Sequence, residues 1–179
     1  MKQFGSHKLL IVAVIGVVMP ISLAIDCKEV FQRKEELENC CTASSFITIE
    51  NLKSTMDAQE GNHHEKFFCA TQSLLQEQNL LNGDDINVDA MKQKTEGFDD
   101  DWKQKSLQMI DACVERIQTM TAEMEQRGGP KGQCKPNAGM FIICVGKETI
   151  KNCPADKWNS SDVCEKVKSG DCDKRGPRN

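Results

Sequence analysis

The chain has 179 residues, with 23 Lys and Arg against 27 Asp and Glu for a net charge of −4, and it contains ten cysteines but no tyrosine. An acidic balance argues against nucleic acid as a partner, because phosphates attract the opposite sign. Two Trp and no Tyr give little support to a surface that recognises sugars or partners through aromatic anchors.

The first segment reads as a secretory signal. Lys2 and Lys8 form a basic start, Leu9 to Met19 is apolar apart from Gly16, Pro20 breaks the run, and Ser22-Leu23-Ala24 offers small residues for cleavage after Ala24. The apolar run is too short for a membrane anchor, which needs about 20 residues. No later stretch is apolar enough to span a bilayer, so no membrane insertion is expected. Without Lys2 and Lys8 the mature balance is more acidic still.

All ten cysteines, at 27, 40, 41, 69, 113, 134, 144, 153, 164 and 172, lie in the mature part. An even number in an oxidising compartment predicts five disulfides. No Cys-x-x-Cys pair occurs and the mature histidines are His63 and His64, so zinc is not expected.

Asp26 to Asn39 is charged and helix-prone, with Val30, Phe31 and Leu37 as its apolar anchors. It ends at Cys40-Cys41. Adjacent cysteines rarely bond each other because the ring is strained, so each is expected to reach a different partner. A short helix is predicted from Thr48 to Met56, where Ile49, Leu52 and Met56 recur at helical spacing. Gly61 marks a break.

His63 to Gln78 is predicted to be helical, with Phe67, Phe68, Leu74 and Leu75 on its apolar side. His63, His64 and Glu65 point about 100° apart on a helix, so they do not converge on one ion. Asn79 to Asp85 reads as a turn. It lacks the oxygen ligands of a calcium loop. Asp85 is predicted to cap a short helix from Ile86 to Lys94 that carries Val88 and Met91.

Asp99-Asp100-Asp101 starts the longest predicted helix, where three carboxylates complement the free N–H groups and the dipole. Met109, Ile110, Cys113, Ile117, Met120 and Met124 form one stripe, broadened by Leu107 and Val114. Gly128-Gly129-Pro130 ends it, and the turn extends to Gly132. Met140 to Val145 is apolar all round and is read as a buried central helix running to Lys151. After Cys153-Pro154 the chain is polar, with Trp158 as its one large apolar residue. Asn159-Ser160-Ser161 is a glycosylation pattern. Lys174 to Asn179 reads as disordered.

The cysteine ladder resembles that of the insect odorant-binding proteins, and within them the Plus-C subgroup. Cys69 and Cys113 bracket the family's long interval, and Cys144 and Cys153 its closing pair with eight residues between. Cys134, Pro154 and Cys164 stand where the subgroup has its additional residues. One departure is Glu65, which stands where the family usually has a cysteine four positions before Cys69. The resemblance implies pairing of Cys113 with Cys153, of Cys69 with Cys40 or Cys41, and of Cys144 with one of the extra cysteines.

The fold implied is an all-α, disulfide-stapled, odorant-binding-protein-like bundle of about six helices with an extra C-terminal extension. Its divisions are a signal peptide at 1–24, a helical core at 25–153 and a Plus-C extension at 154–179. The function implied is carriage of small apolar molecules in secreted fluid, sensillar lymph or haemolymph. A disulfide-held bundle tolerates an internal cavity, and Met side chains adapt to varied guests. The expected lining is Phe67, Leu74, Met91, Met109, Ile110, Ile117, Met120 and Phe141. A Met and aromatic stripe at helical spacing is also what an ordinary packed core looks like. No cofactor or catalytic residue is implied. The expected partner is a small apolar ligand, with a chemosensory receptor and a second copy of the chain as further candidates.

Two other classes fit the residues less well. A secreted phospholipase of the A2 type needs a His-Asp pair and a calcium loop, whereas Cys40-Cys41 is followed here by Thr42-Ala43-Ser44 with no histidine nearby. A disulfide-rich interaction protein or inhibitor without a small ligand would use an exposed loop, for which Gly128 to Gly132 is the candidate.

Overall fold

A computed structural model of the chain describes residues 25–129 and 132–173. The expected leader, Pro130 of the expected turn, and the expected disordered end from Lys174 lie outside the described residues.

The architecture is helical. In chain order come α1 (Cys27–Gln32), α2 (Lys34–Glu38), α3 (Leu52–Asp57), α4 (His63–Glu77), a two-stranded hairpin of β1 (Leu81–Asn82) and β2 (Asp85–Ile86), then α5 (Val88–Gln93), α6 (Asp100–Gln126), α7 (Asn137–Asn152) and α8 (Asp162–Lys168). Single 3-10 turns cover Ala155–Lys157 and Asp171–Asp173.

The three long helices form where their apolar patterns predict. α4 opens on a reciprocal cap: Asn62 Oδ1 accepts from the N–H groups of His64 and Glu65, and Glu65 accepts from the Asn62 N–H. His63 and His64 sit exposed in that first turn. At the start of α6, Asp99 accepts from the Trp102 N–H at 2.9 Å. The apolar run from Met140 is helical as expected, within the longer α7.

Other expectations are corrected. The short helix predicted from Thr48 begins only at Leu52. The reason is a two-way clamp by Gln78, whose side chain accepts from the Thr48 N–H at 3.1 Å and donates to the Thr48 carbonyl at 2.9 Å. Asp85 is not a helix cap. It lies in β2, opposite Asn82, and Gly83 takes φ +64° in the loop between the strands. The Asn87 N–H is still tied to the Leu80 carbonyl, so α5 starts at Val88 and Asn87 caps it through the Ala90 N–H. The charged N-terminal segment breaks at Arg33 into α1 and α2.

The five disulfides are Cys27–Cys172, Cys40–Cys164, Cys41–Cys153, Cys69–Cys134 and Cys113–Cys144. Cys40 and Cys41 reach different partners, as ring strain dictates. The pairings implied by the resemblance are overturned. Cys113 bonds Cys144 rather than Cys153, Cys69 bonds Cys134 rather than Cys40 or Cys41, and Cys144 therefore takes no extra cysteine. The physical reason is the packing of α6 on α7. Thr121 hydrogen-bonds Asn137 and Met109 touches Thr149, so the helices run antiparallel with Cys113 facing Cys144.

The interior has two apolar clusters. The larger joins Phe46, Ile47, Leu75, Leu80, Met91, Trp102, Met109, Ile110, Ile117, Phe141 and Val145 across α4 to α7. Trp102 anchors the preceding loop to it by donating its indole N–H to the Ser44 carbonyl at 2.8 Å. The smaller joins Ile25, Val30, Cys40, Val163 and Cys164, where the N-terminal arm meets α8. Arg33 ties this second cluster at the surface by bonding both Glu36 and Asp162.

Candidate functional site

The eight expected lining residues are distributed unevenly. Met91, Ile110 and Phe141 are fully buried, and Met109, Ile117 and Leu74 nearly so. Met91, Met109, Ile110, Ile117 and Phe141 belong to the larger cluster and are brought together by α5, α6 and α7. Phe67 and Leu74 lie on α4, where Phe67 is half-buried and its ring sits 5.7 Å from that of Phe68. Met120 is 43 % exposed, so the α6 stripe leaves the core one turn after Ile117.

Two hollows run along one flank of α6. Beside Ile117 and Ala122 of the second hollow, the α6 residues that line them are Lys103 and Leu107 in the first, then Val114, Gln118, Thr121 and Glu125 in the second. These recur every three, four or seven positions and so form a single stripe. Asp111 falls on the same stripe between the hollows. Lys92 of α5 reaches across to it, Nζ to Oδ1 at 2.6 Å. The ion pair therefore straps α5 over the flank and divides the cleft.

The first hollow, of about 630 Å³, is wide open and about as polar as apolar, with Asn87, Asp89, Gln93 and Glu96 on its α5 side. The second, of about 330 Å³, is the better candidate for an apolar guest. Ile86, Val88, Val114, Ile117 and Ala122 make its apolar surface. Asn137 closes it with a polar group: its Oδ1 accepts from Thr121 Oγ1 at 3.0 Å, and its Nδ2 donates to the Asp84 carbonyl at 3.4 Å. The hairpin positions one wall, because its register places Ile86 opposite Leu81 and carries the chain directly into Val88 of α5.

Of the expected lining set, only Ile117 faces this groove. Sequence reasoning missed Ile86, Val88, Thr121 and Asn137 as lining, and placed Val114 merely as a broadening of the stripe. The available signal was the α6 spacing itself, since Val114, Thr121 and Glu125 repeat beside the Met stripe. The contribution of the hairpin carried no comparable signal.

Among the described residues no group of three or more His, Cys, Asp or Glu side chains is placed to hold a metal ion. No described helix is long and apolar enough to cross a membrane.

Comparison with known proteins agrees at a coarse level. No family model matches the chain. The sequence is 26% identical over 113 residues to Odorant-binding protein 47 of Anopheles gambiae, an alignment covering 56% of this chain and 49% of that protein. The chain thus spans about half the length of the curated relative it matches. That distant likeness and the all-α bundle with five disulfides are consistent with an odorant-binding-protein-like fold.

Proposed function

We propose that the protein is a secreted carrier of small apolar molecules, odorant-like or pheromone-like, and that its cysteine ladder assigns it to the Plus-C subgroup. The observation that carries this reading is the groove over Ile117, apolar on its floor and polar at its Asn137 end. Its volume of about 330 Å³ falls in the range of small-molecule sites. Disulfides, each contributing about 2–4 kcal/mol by restricting the unfolded chain, offset the cost of leaving such space unfilled.

Ile86, Val88, Val114 and Ile117 make first contact with the guest. Met91, Met109, Ile110 and Phe141 share the core cluster with Ile117 and repack as the guest enters, Met most readily. Phe67, Leu74 and Met120 complete the proposed lining. The segment from Pro154 acts as an extension that clips the N-terminal arm, and a chemosensory receptor or a second copy of the chain is the macromolecular partner.

Titration with an apolar fluorescent naphthylamine tests this. Saturable one-site binding, displaced by other lipophiles, is expected. Val114→Glu places a charge in the groove at a half-buried position and should weaken binding at least about tenfold, or 1.4 kcal/mol. Absence of a saturable site defeats the carrier reading. Unchanged affinity in Val114→Glu moves the guest out of the groove.

A further inference from the structure

Ser106 is the anomaly of the core. It is fully buried on α6, one turn after Trp102 and one turn before Ile110, both of which are core residues. Among the described residues its Oγ is the buried side-chain oxygen or nitrogen with no hydrogen-bond partner. The other fully buried hydroxyls behave differently. Thr71 Oγ1 donates to the Phe67 carbonyl at 2.8 Å, and Thr95 Oγ1 to the Lys92 carbonyl at 2.8 Å. Ser106 makes no such bond to its own helix.

An unpaired hydroxyl inside an apolar cluster costs stability that alanine, of nearly the same size and better helix propensity, would not. An idle donor and acceptor at that place is accounted for if a guest meets it. Leu107, the next residue, lines the hollow between α5 and α6. α5 is only six residues long, and its strap to α6 is the Lys92–Asp111 ion pair, both members of which are more than a third exposed. Such surface pairs hold weakly.

We propose that Ser106 is the polar anchor of an internal guest site entered between α5 and α6, and that the preferred guest carries one neutral oxygen, as an alcohol, aldehyde or ketone. The oxygen hydrogen-bonds Ser106 Oγ, and the hydrocarbon part lies among Met91, Met109 and Ile110. A carboxylate fits less well, because no buried residue among those described is charged. This deepens the carrier reading and rests on it.

The test compares octanol with octane as displacers of the apolar fluorescent probe, in wild type, Ser106→Ala and Thr119→Ala. Thr119 is an exposed α6 residue whose hydroxyl donates to the Glu115 carbonyl, so it controls for helix effects. The readout is the ratio of octanol to octane affinity. It should fall about tenfold in Ser106→Ala, the loss of one neutral hydrogen bond, and stay constant in Thr119→Ala. A constant ratio in Ser106→Ala overturns the anchor and leaves the carrier standing. If neither compound displaces the probe from wild type, the carrier reading itself falls. Should Ser106→Ala fail to fold, the carbonyl stretch of octanone bound to wild type decides. A shift to lower frequency than in hexane supports the anchor, and a hexane-like value overturns it.

Discussion

Gly139 sets how closely α7 approaches α4. A Cβ at this position would fall 2.6 Å from Phe68 Cδ1 and 2.8 Å from Phe67 Cε1. Alanine would gain up to about 1 kcal/mol in helix propensity, yet it must displace two aromatic rings at once. Gly139→Ala is therefore expected to lower stability by about 1 kcal/mol net, read from the denaturant midpoint. At the molecule's other end, Arg33 holds Asp162 below the ordinary carboxylate value of 3.8, mainly through its hydrogen bond. A depressed folded pKa contributes stability above the unfolded value and loses it as pH falls through the folded one. Asp162→Asn should thus lower the thermal midpoint at neutral pH and flatten its decline below about pH 4. Neither residue could be singled out from sequence. Gly139 stands just before the apolar run from Met140, where nothing in the sequence shows which rings it meets, and the partner of Asp162 lies 129 positions away.

The elements divide by what their sequences encode locally. α4, α6 and α7 were legible because α4 and α6 carry a helical apolar period, α6 with three carboxylates at its start, and α7 an uninterrupted apolar run. The hairpin was legible only as a turn. Two residues per strand are too few to alternate visibly, and Asn82-Gly83 alone fixes no strands. Its consequence, that Ile86 and Val88 wall a groove, depends on α5 docking against α6. That docking gives a prediction at the same scale. Asp111→Asn removes the charge that Lys92 reaches, so α5 should lift more often. Amide exchange across Val88–Gln93 is expected to quicken, by only a few-fold because the pair is exposed. Unchanged exchange would mean that apolar packing of Met91 alone holds α5 down.

At the scale of the whole molecule, two apolar clusters are stapled by crosslinks of different reach. Cys113–Cys144 and Cys69–Cys134 lock the helices around the larger cluster, whereas Cys27–Cys172 and Cys40–Cys164 fasten the N-terminal arm to the tail. Number and compartment of the cysteines predicted crosslinks but not their pattern, because pairing follows from which helix faces meet. Glu65, in place of a cysteine, leaves Cys144 without its family partner, and Cys144 takes Cys113 rather than an extra cysteine. Replacing Cys40 and Cys164 together by Ala should cost about 2–4 kcal/mol in thermal or denaturant unfolding, while the groove on α6 keeps its apolar probe. Loss of probe binding would show that the arm and tail shape the groove.

The claim on which the account turns is that an apolar guest lodges along the flank of α6. Methyl-selective NMR of the oxidised protein during titration with octanol addresses it directly. Saturable shifts are expected at the methyls of Ile86, Val88, Val114, Ile117 and Ile110, with those of the exposed Ile143 unmoved. Shifts confined to α1, α8 or Ile143, or none at a saturating excess of octanol, would contradict it.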